Sequence, residues 1–286
     1  MVDVLIPSYN HAPWIEAAIR SVLGQEGVDV RLMVLDDGSR DESPQLLTRL
    51  AQELGFELIL RENRGVTSTL IELAGQVRAP YFCSLGSDDI MPPRRLRAQL
   101  QELQSHPESP GCAGQVIVMD AEGNLEAAPL SRFQRGIPQV DFESLLLGKL
   151  ELHGASVLVR TEHFRAVGGY RPDIGIEDYP LWLALTHRFG AVRVIPDVAC
   201  HYRIHGNNLH QRVDFMYDQI FKSLESYRDH ALFPLALRRW KANWWSELAF
   251  SDKRSALKRI FALGSLDFSF IRRLPKLFIP SRCLRW

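Results

Sequence analysis

The first hundred residues of this 286-residue chain alternate between short apolar stretches and longer amphipathic ones. The apolar stretches have the length of buried strands, at residues 2–6, 30–35, 56–60 and 81–85. The other segments place apolar side chains at helical spacing, at residues 14–23, 43–54, 66–77 and 93–103. Alternation of this kind predicts an α/β fold in which helices flank a mostly parallel sheet.

The pattern changes in the second half of the chain. Strand-like stretches continue at residues 116–119, 155–160, 192–195 and 199–203. From about residue 207 the sequence is helical, rich in Trp and Arg, and carries no strand signal. We therefore predict an α/β domain over residues 1–208 and a helical C-terminal appendage over residues 209–286.

Composition argues against several classes of protein. The formal net charge is zero, which disfavours a dedicated nucleic-acid binder. The four cysteines are scattered without a C-x-x-C pair, as expected in a reducing compartment. No stretch of about 18 apolar residues is present, and the N-terminus lacks the basic and apolar regions of a signal peptide. These features predict a cytoplasmic protein without a membrane span.

Polar clusters follow each of the first four predicted strands. They are Ser8-Tyr9-Asn10, Asp36-Asp37, Asn63-Arg64-Gly65 and Asp88-Asp89. Sheets of this class bind ligands at the carboxyl ends of their strands. Neither G-x-G-x-x-G nor a Walker motif occurs, so a mononucleotide fits better than a dinucleotide. Tyr9 could lie against its base, Asp37 could accept a hydrogen bond from it, and Asp89 could hold a metal on the diphosphate.

Adjacent carboxylates at Asp88 and Asp89 are costly to hold side by side without a counter-charge. A divalent cation that carries a diphosphate supplies one, and Mg²⁺ or Mn²⁺ prefers carboxylate oxygens. The alternative is that the pair belongs to a turn or caps a helix. Glu177-Asp178 also has two interpretations, a catalytic role or a helix cap. Acidic residues are favoured in the first turn of a helix, and the apolar segment at 181–189 follows directly.

Six short motifs occur in order along the chain. They are VLIPSYN (4–10), VLDDGS (34–39), NRG (63–65), SDD (87–89), GGY (168–170), and ED ahead of LW (177–182). In this order they resemble the motifs of the inverting GT-A glycosyltransferases of family 2, over roughly residues 2–205. The resemblance implies a GT-A-like (Rossmann-like) fold. It also implies transfer of a sugar, with inversion, from a nucleoside-diphosphate donor to a hydroxyl group.

The resemblance assigns one group of matched residues to the donor. Pro7, Tyr9 and Asp37 would contact the nucleotide, the latter two at its base. Arg64 and Gly65 would lie near the donor as well.

A second group would perform the chemistry. The resemblance implies that Asp89 is the metal ligand for Mn²⁺ or Mg²⁺, that Asp88 lies near the ribose, and that His205 reaches the metal or the diphosphate. Asp178 would be the catalytic base, with Glu177 beside it. A base on the acceptor hydroxyl and a cation on the leaving diphosphate together suit in-line displacement. The alternative for His205 is a loop histidine without a role in the site.

One position departs from the family pattern. The family commonly reads Asp-Ser-Asp-Asp, and Gly86 stands at the first Asp position, which leaves open which carboxylate does what. His153 is a candidate for the acceptor pocket. Asp36 is expected to brace its loop, and His201 is expected to be structural.

The implied partners are a nucleoside-diphosphate sugar, with a UDP-sugar favoured, and a glycan or lipid-linked glycan acceptor in cell-surface polysaccharide synthesis. Two other classes stay open. A sugar nucleotidyltransferase usually has a Gly-rich loop with Arg and Lys after its first strand, and residues 7–10 have no basic residue. A non-catalytic glycan-binding subunit would be expected to lack the carboxylates that this chain retains.

The last part of the chain is basic and aromatic. Residues 253–286 hold nine Lys and Arg against one Asp, interleaved with Phe and Trp. Such a segment fits peripheral contact with anionic lipid, which would place the protein at the cytoplasmic face of a membrane. The alternative is a helical cap that packs on the catalytic domain and exposes a basic face to solvent.

Overall fold

The computed structural model describes residues 1–129, 137–206, 212–251 and 253–258. Its strands are β1 (Val2–Ser8), β2 (Val30–Asp37), β3 (Glu57–Arg61), β4 (Tyr81–Ser84), β5 (Gly111–Met119), β6 (Leu125–Pro129), β7 (Gln139–Val140), β8 (Val157–Arg160) and β9 (Val192–Arg203). Its helices are α1 (Ile15–Leu23), α2 (Ser43–Leu54), α3 (Val66–Ala74), α4 (Arg95–Ser105), α5 (Phe142–Leu146), α6 (Thr161–Ala166), α7 (Asp178–Phe189), α8 (Val213–Glu225), α9 (Phe233–Ser251) and α10 (Lys253–Lys258). The predicted alternation over the first hundred residues is confirmed.

The described strands form one sheet in the order β3-β2-β1-β4-β8-β5-β9-β7, with β6 paired to β5. The first four strands in this order are mutually parallel. Strand β8 runs antiparallel to both β4 and β5, whereas β5 and β9 are parallel. The α/β class is therefore confirmed, with a parallel N-terminal half and mixed pairing beyond β4.

Strand β1 lies between β2 and β4 in the parallel half of the sheet, and its register brings the polar loops together. Ser8 pairs with Asp36 of β2, and Asp37 pairs with Arg61 of β3. On the other side, the Leu85 N–H donates to the Leu5 carbonyl at 3.0 Å. The loops that follow β1, β2, β3 and β4 consequently open on the same edge of the sheet.

Strand β9 is one long strand where the sequence suggested two. Pro196 interrupts the apolar pattern, but the pairing with β5 continues through register shifts around Gln115. Gly114 allows this, because a Cβ there would lie 2.7 Å from the Ala199 Cβ and 2.8 Å from the Asp197 carbonyl oxygen. A bulge of this kind accommodates a residue without an N–H inside a sheet.

The burial of β1 agrees with its interior position in the sheet. Val4, Leu5 and Ile6 are all fully buried, so the strand is covered on both faces, as a central parallel strand requires. In α1, Ile15 and Ile19 are also fully buried and belong to the same core cluster. Burying each such side chain contributes about 1.5–3 kcal/mol.

The chain divides into two compact units. Residues 1–145 and 150–206 form the first, which contains the sheet, and the second contains residues 146–149 and helices α8, α9 and α10. Within the second unit, the Trp240 indole donates to the Leu146 carbonyl at 3.0 Å and Trp245 is fully buried. No helix in the described ranges is both long and apolar enough to cross a bilayer. Most of the basic segment, residues 259–286, lies outside the described residues.

Candidate active site

The loops after β1 and β2 are tied together by hydrogen bonds from the backbone. The Asn10 N–H donates to Ser39 Oγ at 2.8 Å, and the Arg40 N–H donates to Asn10 Oδ1 at 2.7 Å. The Ala12 N–H donates to Asp41 Oδ2 at 3.0 Å. Asn10 adopts φ 56°, a left-handed conformation that Asn tolerates better than most residues. These bonds set the position of the residues on either side, Tyr9 and His11.

An open cleft of about 700 Å³ lies beside this loop pair. Its lining includes Tyr9 and Leu60, which are 42% and 48% exposed. Asp36 also lines it, but its carboxylate accepts the Ser39 N–H at 2.9 Å and so braces the turn, as predicted. An exposed aromatic ring and an exposed aliphatic side chain offer flat apolar surface for a nucleobase.

Asp37 is buried and its carboxylate is already engaged. It accepts the Arg64 N–H at 2.9 Å and the Gly65 N–H at 2.7 Å, and it forms an ion pair with Arg61. Gly65 has φ 88°, a conformation that favours glycine, so the turn that presents these two N–H groups depends on it. Asp37, Arg64 and Gly65 are thus brought together beside the cleft.

Asp88 meets two imidazoles. His205 Nε2 lies 2.9 Å from Asp88 Oδ2, and His11 Nδ1 lies 3.7 Å from Asp88 Oδ1. One ligand atom from each of these three residues lies within 4.8 Å of the other two, a grouping that can hold a metal ion. Burial lowers the pKa of His11, with the Asp88 carboxylate opposing the shift, and this favours the neutral imidazole that binds metals.

Asp89 faces the backbone of Arg203. Its Oδ1 accepts the Arg203 N–H at 2.9 Å, and its carboxyl also bonds with the Cys200 thiol. Burial, reinforced by the neighbouring Asp88 charge, raises the Asp89 pKa well above its ordinary value. Asp88, and not the predicted Asp89, is therefore the carboxylate that contacts His205.

Gly86 gives both carboxylates their space. A Cβ at this position would lie 2.7 Å from Asp89 Oδ2 and 2.8 Å from Asp88 Oδ1. An aspartate at position 86, as in the family pattern, would therefore force the Asp88 and Asp89 side chains to move.

Sequence reasoning missed three residues of this site. His11 approaches Asp88, Trp14 stacks on His205 with ring centroids 4.6 Å apart, and the Arg203 guanidinium lies 5.7 Å from the Trp14 ring centre. His11 lies three residues after the end of β1, next to the polar cluster at residues 8–10, and this position was a usable signal. Nothing local to Trp14 or Arg203 indicates that they meet.

Helix α7 begins at Asp178, three residues before the predicted segment. Pro180 is compatible with the first turn, where no backbone donor is needed. Glu177 precedes the helix but its side chain makes no capping hydrogen bond, whereas Asp178 Oδ1 accepts the adjacent Tyr179 N–H at 2.6 Å. Helix capping by Glu177 therefore does not account for the acidic pair.

Both acidic residues are half-buried and their pKa values are raised. Burial, then the nearby Asp178 charge, raises the pKa of Glu177 to about 8. Burial also raises the pKa of Asp178, although hydrogen bonds from backbone N–H groups oppose the shift. Because the two carboxyls are neighbours, the raised pKa values belong to the pair, and the site disfavours two negative charges at once.

The surroundings of Asp178 connect the acidic pair to the imidazole cluster. Gly154 lies against it, since a Cβ there would be 3.3 Å from Asp178 Oδ2. The neighbouring His153 packs edge-on against Tyr202, with ring centroids 4.5 Å apart. Burial raises the pKa of Tyr202, and the charges of Asp89, Asp88 and Asp178 raise it further. Tyr202 is thus within electrostatic reach of both acidic groups.

Comparison with known proteins identifies the family of this chain and its fold. The profile of glycosyl transferase family 2 matches residues 3–168. Amylovoran biosynthesis glycosyltransferase AmsE of Erwinia amylovora is 27% identical over 236 residues, covering 80% of this chain and 85% of AmsE. This chain spans only 31% to 64% of three uncharacterised glycosyltransferases of Rickettsia species that it also matches.

Solved structures match over nearly the whole chain. TarS of S. aureus in complex with UDP-GlcNAc superimposes with a TM-score of 0.67 at 16% identity, over 96% of this chain and 80% of that one. The mannosyltransferase PcManGT of Pyrobaculum calidifontis, in complex with GDP-Man and Mn²⁺, gives 0.61 at 18% identity, over 93% and 76%. At these identities the likeness shows the fold alone, and it confirms the predicted GT-A fold. Since the family profile covers more than half of the chain, this protein belongs to glycosyl transferase family 2.

Proposed function

We propose that this glycosyltransferase is an inverting enzyme that moves a sugar from a nucleoside diphosphate to a hydroxyl group of a glycan or lipid-linked glycan. The observation that carries the proposal is the presence of two acidic centres in the unit that contains the sheet. One is Asp178, with its raised pKa, and the other is Asp88 with His11 and His205. Inverting transfer requires a base at the acceptor and stabilisation of charge at the leaving group, and these two centres supply them.

On the acceptor side, Asp178 would take the proton of the attacking hydroxyl. Its raised pKa makes it a stronger base than an ordinary carboxylate, while the proton on Glu177 keeps a second negative charge away from the incoming hydroxyl. His153 directly precedes Gly154, which lies against Asp178, and it would contact the acceptor.

On the donor side, His11, Asp88 and His205 fit a divalent cation because their ligand atoms already converge. A bound Mn²⁺ or Mg²⁺ would neutralise charge on the departing diphosphate. We assign Asp88 rather than Asp89 to the cation, and Asp89 to holding the Arg203 backbone. Tyr9 and Asp37, with Pro7, Arg64 and Gly65, would hold the nucleotide at the cleft beside β2 and β3.

The identity of the substrates is inferred from related proteins. The complex of TarS with UDP-GlcNAc favours a UDP-sugar, with GDP-sugars as the alternative from PcManGT. The name of AmsE favours a role in polysaccharide biosynthesis. Synthesis on a lipid-linked acceptor would suit a catalytic domain over residues 1–208 at the cytoplasmic face of a membrane, held there by the basic appendage over 209–286.

Two other functions are less well supported. A sugar nucleotidyltransferase is disfavoured by the family match and by a first loop, residues 7–10, without Arg or Lys. A non-catalytic glycan-binding subunit is disfavoured because Asp37, Asp88, Asp89 and Asp178 are all present.

A screen of UDP-, dTDP- and GDP-sugars with Mn²⁺, read by donor hydrolysis and by thermal shift, tests the proposal. We expect one nucleotide series to raise the melting temperature and its sugar to be released. Absence of both effects across all three series, with correctly folded protein, would contradict a nucleotide-sugar donor.

A further inference from the structure

The cluster around Asp88 contains one histidine more than the sequence suggested. His11 Nδ1 faces one carboxylate oxygen of Asp88, and His205 Nε2 faces the other. The His11, Asp88 and His205 side chains are only 22%, 10% and 8% exposed. Three convergent ligand atoms at a partly buried site are unlike a chance grouping on the surface.

The two rings are held in place before any ligand binds. The His11 backbone N–H donates to Ser43 Oγ at 3.2 Å. The ring nitrogen Nδ1 bonds to Ser87 Oγ at 2.7 Å, a bond that a cation bound at this nitrogen would replace. Trp14 stacks on His205 with an interplanar angle of 25° and meets the His11 ring edge-on at 5.5 Å. The ligand atoms lie within 4.8 Å of one another, and small side-chain rotations would bring them to the roughly 3–4 Å that separates ligands about 2.1 Å from one ion.

The donor set determines which ion fits. Mg²⁺ takes oxygen ligands and retains its waters, whereas imidazole nitrogen suits transition ions, with affinity rising from Mn²⁺ to Co²⁺. We propose that His11 is a direct ligand of the cation, and that the two imidazoles make this site select transition-metal ions over Mg²⁺. The inference deepens the proposed function, because it concerns the cation of the same site.

The test measures metal binding without any nucleotide. Mn²⁺, Co²⁺ and Mg²⁺ are titrated into the full chain, with free Mn²⁺ followed by electron paramagnetic resonance and the other two by calorimetry. The variants are His11→Leu and His106→Leu. His106 is a matched control, because its ring also lies beside a carboxylate, 3.3 Å from Glu102, but outside the cluster.

We expect Co²⁺ to bind more tightly than Mn²⁺ and Mn²⁺ more tightly than Mg²⁺. His11→Leu should weaken Mn²⁺ and Co²⁺ binding by about tenfold or more while barely changing Mg²⁺ binding. His106→Leu should match the wild type. Equal binding of Mn²⁺ and Mg²⁺ by the wild type, or unchanged Mn²⁺ and Co²⁺ binding in a folded His11→Leu protein, would overturn the inference.

Two further measurements keep the outcome decisive. If His11→Leu does not fold, electron spin-echo modulation in the Mn²⁺-loaded wild type counts the imidazole nitrogens bound to the ion. Two coordinated imidazoles support the inference, and one or none refutes it. UDP titration at saturating Mn²⁺ separates this inference from the proposed function. Undiminished UDP binding with unchanged metal preference in His11→Leu refutes the role of His11 alone. Selective metal binding without any nucleotide binding supports the site and counts against the proposed donor.

Discussion

Replacing Asp178 by asparagine should make the protein more stable and less active at the same time. The folded structure raises the pKa of this carboxyl because burial disfavours its charged form. Asparagine has the same size, can still accept the Tyr179 N–H, and carries no charge to desolvate. The change therefore removes a cost to folding together with the proposed base.

The sign and size of the stability effect follow from the raised pKa values. A carboxyl whose pKa is higher in the folded than in the unfolded state loses stability as pH rises above its unfolded pKa. For Glu177 the window runs from its ordinary value of 4.5 to about 8. A tenfold change in the acid dissociation constant corresponds to about 1.4 kcal/mol of stability, reduced by partial exposure to solvent. The free energy of unfolding of Glu177→Gln should therefore exceed that of the wild type by an amount that grows with pH across this window and stays constant above it.

Activity should separate the two variants. Loss of a general base costs roughly 10²–10⁴-fold, or about 3–5 kcal/mol in activation free energy, so Asp178→Asn should be nearly inactive. Glu177→Gln reproduces the neutral form that a pKa of about 8 predicts at pH 7, and it should keep most of the activity there. Donor affinity should change little in either variant.

The assay combines three measurements: release of the nucleotide during sugar transfer, donor affinity by titration, and melting temperature between pH 5 and pH 9. Wild-type turnover by Asp178→Asn, or loss of donor affinity alone, would refute its role as base. If Glu177→Gln lost activity as severely as Asp178→Asn at pH 7, Glu177 would be the better candidate. Lower melting temperatures for both variants at pH 8 would refute the electrostatic reasoning itself.

Three other predictions follow from the site and the basic segment. Asp88→Asn should abolish Mn²⁺ binding, whereas Asp89→Asn should leave Mn²⁺ binding nearly unchanged, because the Asp89 carboxyl bonds to the Arg203 backbone and to Cys200; metal titration of both variants checks this, and the opposite ranking would restore Asp89 as the ligand. The first product should have the anomeric configuration opposite to that of the donor, since one base supports one displacement, and nuclear magnetic resonance showing retention would exclude it. Removal of residues 253–286 should weaken binding to anionic liposomes in a salt-sensitive way while donor binding survives, because about 1 kcal/mol is available per basic residue near such a surface. Co-sedimentation at low and high salt measures it, and full-length protein that ignores liposomes at low salt would favour a structural cap.

The sequence by itself determined the α/β class, the strand-end location of the polar clusters and the family. These rest on local patterns: strand and helix periods, and motifs that need only their own neighbours to be recognised. Helix α7 starts three residues before the apolar segment at 181–189, because its first turn contains Asp178 and Pro180, which are favoured near a helix start but do not belong to an apolar pattern. The two predicted strands at 192–195 and 199–203 proved to be β9, because the bulge that carries the pairing past Pro196 depends on Gly114 in another strand.

Only the tertiary structure decided which acidic side chain faces which partner. Asp88 and Asp89 are adjacent in sequence, yet one meets His205 and the other the Arg203 backbone, partners that lie 117 and 114 residues away. Their directions depend on the turn at Gly86 and on what β9 presents, neither of which a local pattern contains. The same holds for His11 and Trp14, whose roles arise because parallel pairing brings the ends of separate strands to one edge.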